Sequence, residues 1–172
     1  RWRARGHEVT VLTTAGTVGG VVEPTGDEPH VRRVLQWYWS EHAFLRPSLR
    51  ERLAVERANL TALESALAGG VDVVSVWHLG GMPLGLLTAV ERAGMPAVLN
   101  ICDEWPDYGR RADAWTGAWS RWPSALAAVA SRVLGVPTAV PDLDRHPASF
   151  VSEWIRERLR QRTPWRFPDS EV

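Results

Sequence analysis

Short, almost unbroken apolar runs alternate with amphipathic segments along this chain, and that alternation most restricts its fold. VDVVSVW (71–77) and PAVLNIC (96–102) place apolar residues side by side rather than at every second position. A strand apolar on both faces must be covered on both, the condition of a parallel sheet flanked by helices. The pattern predicts strands over His7–Thr13, Val31–Trp37, Val71–Trp77, Pro96–Cys102 and Ala148–Val151, with a short one at Val136–Val140. Helices are predicted over Ser48–Ala68, Pro83–Ala93, Pro123–Leu134 and Ser152–Arg162. Ala15–Pro29, rich in Gly, Pro and Thr, reads as loop, and Trp105–Gly117 as irregular.

Local signals sharpen several boundaries. Ser48 followed by Glu51 has the spacing of a capping box, and Gly69-Gly70 stops that helix. Ser152 is a second N-cap candidate. Leu49, Leu53, Glu56, Leu60, Leu63 and Leu67 follow a three-to-four spacing. The expected architecture is α/β, a Rossmann-like parallel sheet with helices on both faces, formed by residues 1–172 as one partial domain. Arg1–Arg5 read as the last turn of a helix ending at Gly6, and a new strand could start at Ser170, so the sequence reads as part of a longer chain.

Composition removes several classes of function. Twenty basic residues, all Arg, balance twenty acidic ones, which gives no general attraction to nucleic acid. Cys102 is the single cysteine, so no intrachain disulfide and no thiolate zinc site is available; this fits a reducing, cytoplasmic compartment. The longest apolar stretch, 125–140, is interrupted by Arg132, Gly135 and Pro137 and cannot span a bilayer.

In open parallel sheets ligands bind beyond the carboxyl ends of the strands. His78, Asp103 and Ser152 fall at such ends. PAVLNICDEWPDYG (96–109) closes a buried run on two carboxylates and a Trp, and HLGG (78–81) follows another. Gly80 and Gly81 would let a ligand approach the backbone, and a helix starting near Pro83 would offer free N–H groups. Asp103 could accept a hydroxyl proton or cap a turn. Trp105 and Tyr108 could stack against the face of a ligand. Trp115, Trp119 and Trp122 share a helical spacing with Leu126 and Val129 and read as core. Trp37 and Trp39 are ambiguous. Arg110 and Arg111 read as solvated surface. Arg156, Arg158, Arg160 and Arg162 leave a weak case for contact with a membrane surface, diluted by Glu153 and Glu157.

Taken in order, RGHEVTVLT, VDVVSVWHLGGMPLGLL, PAVLNICDEWPDYG and FVSEWIRERLR resemble the N-terminal domain of retaining, GT-B-fold glycosyltransferases of family four. The resemblance implies an enzyme that moves a sugar from a nucleotide-sugar donor to a sugar or lipid-linked acceptor, without metal or resident cofactor. It implies that this domain shapes the acceptor side and that a second, C-terminal domain holds the donor. It further implies a central first strand and glycine-rich loop before Arg1. Lacking these, the strands at Val9 and Val73 would have no shared neighbour, and the 172 residues alone would be inactive. Asp103 matches the acid of a His-Asp-aromatic signature, while Cys102 stands where the family often has His. The substrate-side set is then Asp103 with His78, Gly80, Gly81, Glu104, Trp105, Tyr108 and Ser152. Glu56 and Glu64 have the spacing of the family's donor-binding acidic pair by coincidence, on what reads as a surface helix. The alternative reading is a non-catalytic Rossmann-like ligand-binding module. A dinucleotide oxidoreductase ranks third, since no G-x-G-x-x-G joins a strand to a helix.

Overall fold

The structure, a computed structural model, describes residues 2–14, 16–17, 20–21, 28–40 and 43–172. The strands are β1 (Val11–Thr14), β2 (Gly16–Thr17), β3 (Gly20–Val21), β4 (Val31–Leu35), β5 (Trp39–Ser40), β6 (Ala43–Phe44), β7 (Val74–Val76), β8 (Ala97–Ile101), β9 (Ala148–Phe150) and β10 (Ser170–Glu171). The helices are α1 (Leu49–Leu67), α2 (Gly85–Arg92), α3 (Trp105–Ala112), α4 (Thr116–Trp119), α5 (Ser124–Leu134) and α6 (Glu153–Arg162). Parallel strands alternate with helices, so the fold is α/β and Rossmann-like. The main sheet runs β10-β9-β8-β7, all parallel, and β1 pairs with β4, also parallel. Among the described residues no ladder joins β1 to β7. Two short antiparallel pairs, β2-β3 and β5-β6, complete the strands. Most of the expected Ala15–Pro29 loop, and His42, lie outside the described residues.

Prolines set where two ladders begin: Val74 donates to Pro96 O and Leu99 to Pro147 O, while the β1–β4 ladder begins with Val11 donating to His30 O. Proline has no N–H to extend a ladder and sits at strand starts. The strands are shorter than the sequence predicts. Residues 7–10 and 71–73 remain outside them, so the β1 strand starts at Val11 rather than His7, and β7 at Val74 rather than Val71.

The sheet is most buried on the face carrying Ala97, Leu99 and Ile101 of β8 with Ala148 and Phe150 of β9. Leu63 of α1, Leu86, Leu87 and Val90 of α2, Trp105 of α3 and Leu159 of α6 share that core. The register puts Val98 beside Ser75 and Asn100 beside Ser149, and the Asn100 amide donates to Ser75 Oγ at 2.9 Å. These residues are half-buried or exposed, a polar counterpart to the apolar face.

Helix ends follow their capping chemistry. Ser48 Oγ accepts from Glu51 N–H, and the Glu51 carboxylate accepts from Ser48 N–H, as the capping box requires. Ser152 Oγ accepts from Ile155 N–H at 3.3 Å and caps α6. Two expectations fail. The irregular segment at 105–117 is helical: Pro106 lies in the first turn of α3, where it is tolerated, and Asp113 separates α3 from α4. Val136–Val140 forms no strand; it is held instead by side chains, Trp115 Nε1 donating to Pro137 O at 2.7 Å and Thr138 Oγ1 to Ala127 O at 2.8 Å.

Candidate functional site

The strand tips of β7 and β8 bring together three of the sequence-predicted residues. Beyond β7 the chain passes through Trp77 and His78 into the turn Leu79–Met82. Beyond β8 it passes through Cys102 and Asp103 into α3, which carries Tyr108 one turn in. The Tyr108 hydroxyl donates to Asp103 Oδ2 at 2.8 Å and lies 2.8 Å from His78 Nε2. His78 Nε2 is also 3.3 Å from the same Asp103 oxygen. The phenol has one proton, and it goes to Asp103. With that carboxylate ionised, the imidazole must present a proton at Nε2 to both oxygens. Desolvation, then the hydrogen bond and the charge of Asp103, push the Tyr108 hydroxyl well above the ordinary phenol range.

The second Asp103 oxygen, Oδ1, accepts from Trp105 N–H at 2.9 Å, so Asp103 also begins α3. Both roles considered for it, turn cap and site carboxylate, are compatible with this geometry. The side chains of His78 and Asp103 each remain about 45% accessible (46% and 45%), which leaves them open to an incoming hydroxyl. Cys102 is exposed beside them.

The two glycines have different jobs. A Cβ on Gly80 would overlap the Tyr108 ring, so the group that approaches this backbone is the phenol rather than a ligand. Gly81 has φ +80°, a left-handed turn residue, and its carbonyl accepts from Tyr38 N–H at 2.6 Å. The expected free N–H at the start of the next helix is occupied: Leu84 N–H donates to Asp113 Oδ2 at 2.8 Å.

The remaining predicted residues separate from this cluster. Trp105 is fully buried in the core and has no face to offer a sugar. Glu104 turns toward α6, pairing with Arg158 and with Arg162 Nη1 at 3.2 Å. Arg162 also reaches Asp107 Oδ2 at 3.2 Å, and Arg111 pairs with Asp107 at 3.0 Å. Arg156 pairs with Glu153, and Arg160 donates to the carbonyls of Arg166 and Phe167. All four arginines of α6 thus have partners within the protein. Arg110 is exposed, and its guanidinium covers the Trp165 ring at 5.4 Å. Ser152 shares the rim, following β9, and is occupied as a helix cap.

A second polar cluster went unread in the sequence. Glu56 and Asp113 are each 1% exposed, and Tyr38 is equally buried. Tyr38 donates to Glu56 Oε1 at 2.9 Å. Asp113 accepts three backbone N–H groups, from Leu84, Trp115 and Thr116, at 2.8, 2.8 and 3.0 Å. Burial, reinforced by the charge of Asp113, pushes the Glu56 carboxyl up to about 9. Burial also raises Asp113, against the pull of its backbone donors. Glu56 is therefore a neutral, buried acid and not part of a surface helix face. Its signal was present: it falls on the Leu53, Leu60 and Leu63 seam of α1. The cluster ties α1, the Tyr38 turn and the α3–α4 junction together, and its burial separates it from any substrate.

Among the described residues no group of three or more His, Cys, Asp or Glu side chains could hold a metal ion, and no helix is long and apolar enough to cross a membrane. Comparison with protein-family models, with curated proteins and with solved structures gave no match.

Proposed function

We propose that this chain forms the acceptor-side domain of a retaining, nucleotide-sugar-dependent glycosyltransferase. The observation that carries the reading is the His78–Tyr108–Asp103 cluster. It sits half-open at the tips of two adjacent parallel strands, where α/β sheets place their ligands. A sugar hydroxyl approaching this cluster would find the Asp103 carboxylate as hydrogen acceptor and the His78 imidazole as orienting donor. In a retaining transfer the departing phosphate shares the acceptor's proton, so Asp103 need only hold the hydroxyl in line. The nucleotide-sugar would be gripped by a second domain, and the chain alone would bind acceptor without turnover.

The alternative, a non-catalytic ligand-binding module of the same fold, draws on one specific feature. Both Asp103 oxygens already accept hydrogen bonds within the protein, so the carboxylate has a complete structural role without any substrate.

Ligand-observed NMR with a panel of mono- and disaccharides and nucleotide-sugars, using the chain and its Asp103→Asn variant, separates the readings. Acceptor-type sugars that bind the chain and lose about tenfold in affinity in the variant support the transferase domain; a charge-assisted hydrogen bond is worth that much. Sugar binding indifferent to Asp103→Asn points to the module. Turnover of a nucleotide-sugar by the chain alone would overturn the acceptor-half assignment.

A further inference from the structure

Helix α5 is turned inside out relative to an ordinary surface helix. Its inward side is small or polar: Ser131 is buried, its hydroxyl accepting from Arg92 at 3.2 Å, and Ala127 receives the Thr138 hydroxyl on its carbonyl. Its outward side is aliphatic: Leu126, Val129 and Val133 are 52%, 54% and 77% exposed. These positions, three and four residues apart, form one stripe. The stripe continues into Trp119, Trp122 and Leu49, with which it lines a shallow, almost wholly apolar groove. Trp122 is 56% exposed and its ring stands 6.0 Å from that of Trp119. A contiguous apolar surface of this kind marks a site of contact with another body.

The charged residues that adjoin the stripe in sequence are basic except for Glu51. Residues 114–141 contain no acid, whereas Arg121 adjoins Trp122 and Arg132 adjoins Val133. Arg46 and Arg50 flank Leu49. All four are exposed, and among the described residues none of them has a side-chain partner, unlike the arginines of α6. Glu51, the acid nearest Leu49 in the chain, is bound to the Ser48 N–H and hydroxyl at 2.7 Å.

We propose that this face docks on an anionic lipid surface. Tryptophan and aliphatic side chains would enter the headgroup boundary, and the uncommitted guanidinium groups would meet lipid phosphates, the arrangement of interfacial helices. A protein partner with an apolar groove would not select for four unpaired cations around the stripe; an anionic bilayer does. The inference stands apart from the transferase reading, since it uses none of the strand-tip residues.

The test is co-sedimentation of the chain with vesicles of phosphatidylcholine alone and of phosphatidylcholine with about one third phosphatidylglycerol. Binding to the anionic vesicles, weakened by salt, is expected. Val133→Glu should reduce it by about tenfold or more, because a valine that would enter the headgroup boundary is exchanged for a charge. Arg132→Gln should reduce it by about fivefold, the share of one basic residue at a charged surface. Both positions are exposed, and thermal melts of the variants verify that folding is kept. Equal binding to neutral and anionic vesicles would overturn the proposal, as would no binding to either. A dimer in sedimentation velocity that Val133→Glu dissolves, with no vesicle binding, would overturn it in favour of self-association.

Discussion

The phenol ring of Tyr108 lies directly on the backbone of Gly80, in space that no side chain can share. That contact holds the Tyr108 hydroxyl between His78 and Asp103. Gly80→Ala should displace the ring and cost about 1–3 kcal/mol, the usual range for forced overpacking. In a Tyr108→Ala background the same substitution should cost far less, since the collision is gone. A double-mutant cycle by urea denaturation measures the coupling, and additive effects would refute the contact's importance.

The buried Glu56 makes stability depend on pH. Its carboxyl ionises near 4.5 in an unfolded chain and near 9 in the folded one. Between those values the folded state binds the extra proton, so stability is greatest at the acid end and falls as pH rises. The slope should approach about 1.4 kcal/mol per pH unit, levelling off above pH 9. Glu56→Gln keeps an acceptor for Tyr38 and should flatten this decline, leaving whatever slope Asp113 contributes. Unfolding free energies measured from pH 5 to about 9 check it. An unchanged slope in the variant would show that Glu56 is not the titrating group.

Asp113 should be the least replaceable side chain outside the apolar core. Asp113→Ala strands three N–H donors and should cost about 3 kcal/mol or more. Asp113→Asn retains an oxygen for Trp115 and Thr116 but turns an amide toward Leu84, and should cost roughly half as much. Removing this negative charge also relieves Glu56, whose titration, followed by NMR, should move to lower pH.

Glu104 and Asp103 are chain neighbours with opposite consequences. Glu104 bonds two partly exposed arginines, and Glu104→Gln should cost about 0–1 kcal/mol in stability without changing ligand binding. Asp103→Asn, by contrast, should weaken sugar binding. Calorimetry on the two variants side by side distinguishes an ion-pair position from a site position.

The fold was readable because its determinants are local. Unbroken apolar runs, glycines after helices and the Ser48–Glu51 pair each identify an element without knowledge of its neighbours. The strand-tip rule likewise brought out His78 and Asp103, which the structure places 3.3 Å apart. What escaped depends on contacts distant in sequence. Trp105 reads as a stacking residue beside two acids, yet the turn of α3 sends it into the core. Glu104 leaves the rim because α6, far along the chain, supplies two cations. The α5 stripe reads as core by periodicity, and only packing reveals that its small-residue side was chosen for the interior. Glu56 was legible in principle, since a charged residue on a leucine seam signals a buried partner. That partner, Tyr38, lies on a turn whose position the sequence does not specify.

Strand β8 is clamped on both sides by neighbours, while β7, among the described residues, has one. Asp103 therefore follows a strand held along two edges, and His78 a strand held, among the described residues, along one. Under the proposed function, the imidazole would follow an arriving hydroxyl while the carboxylate keeps its place.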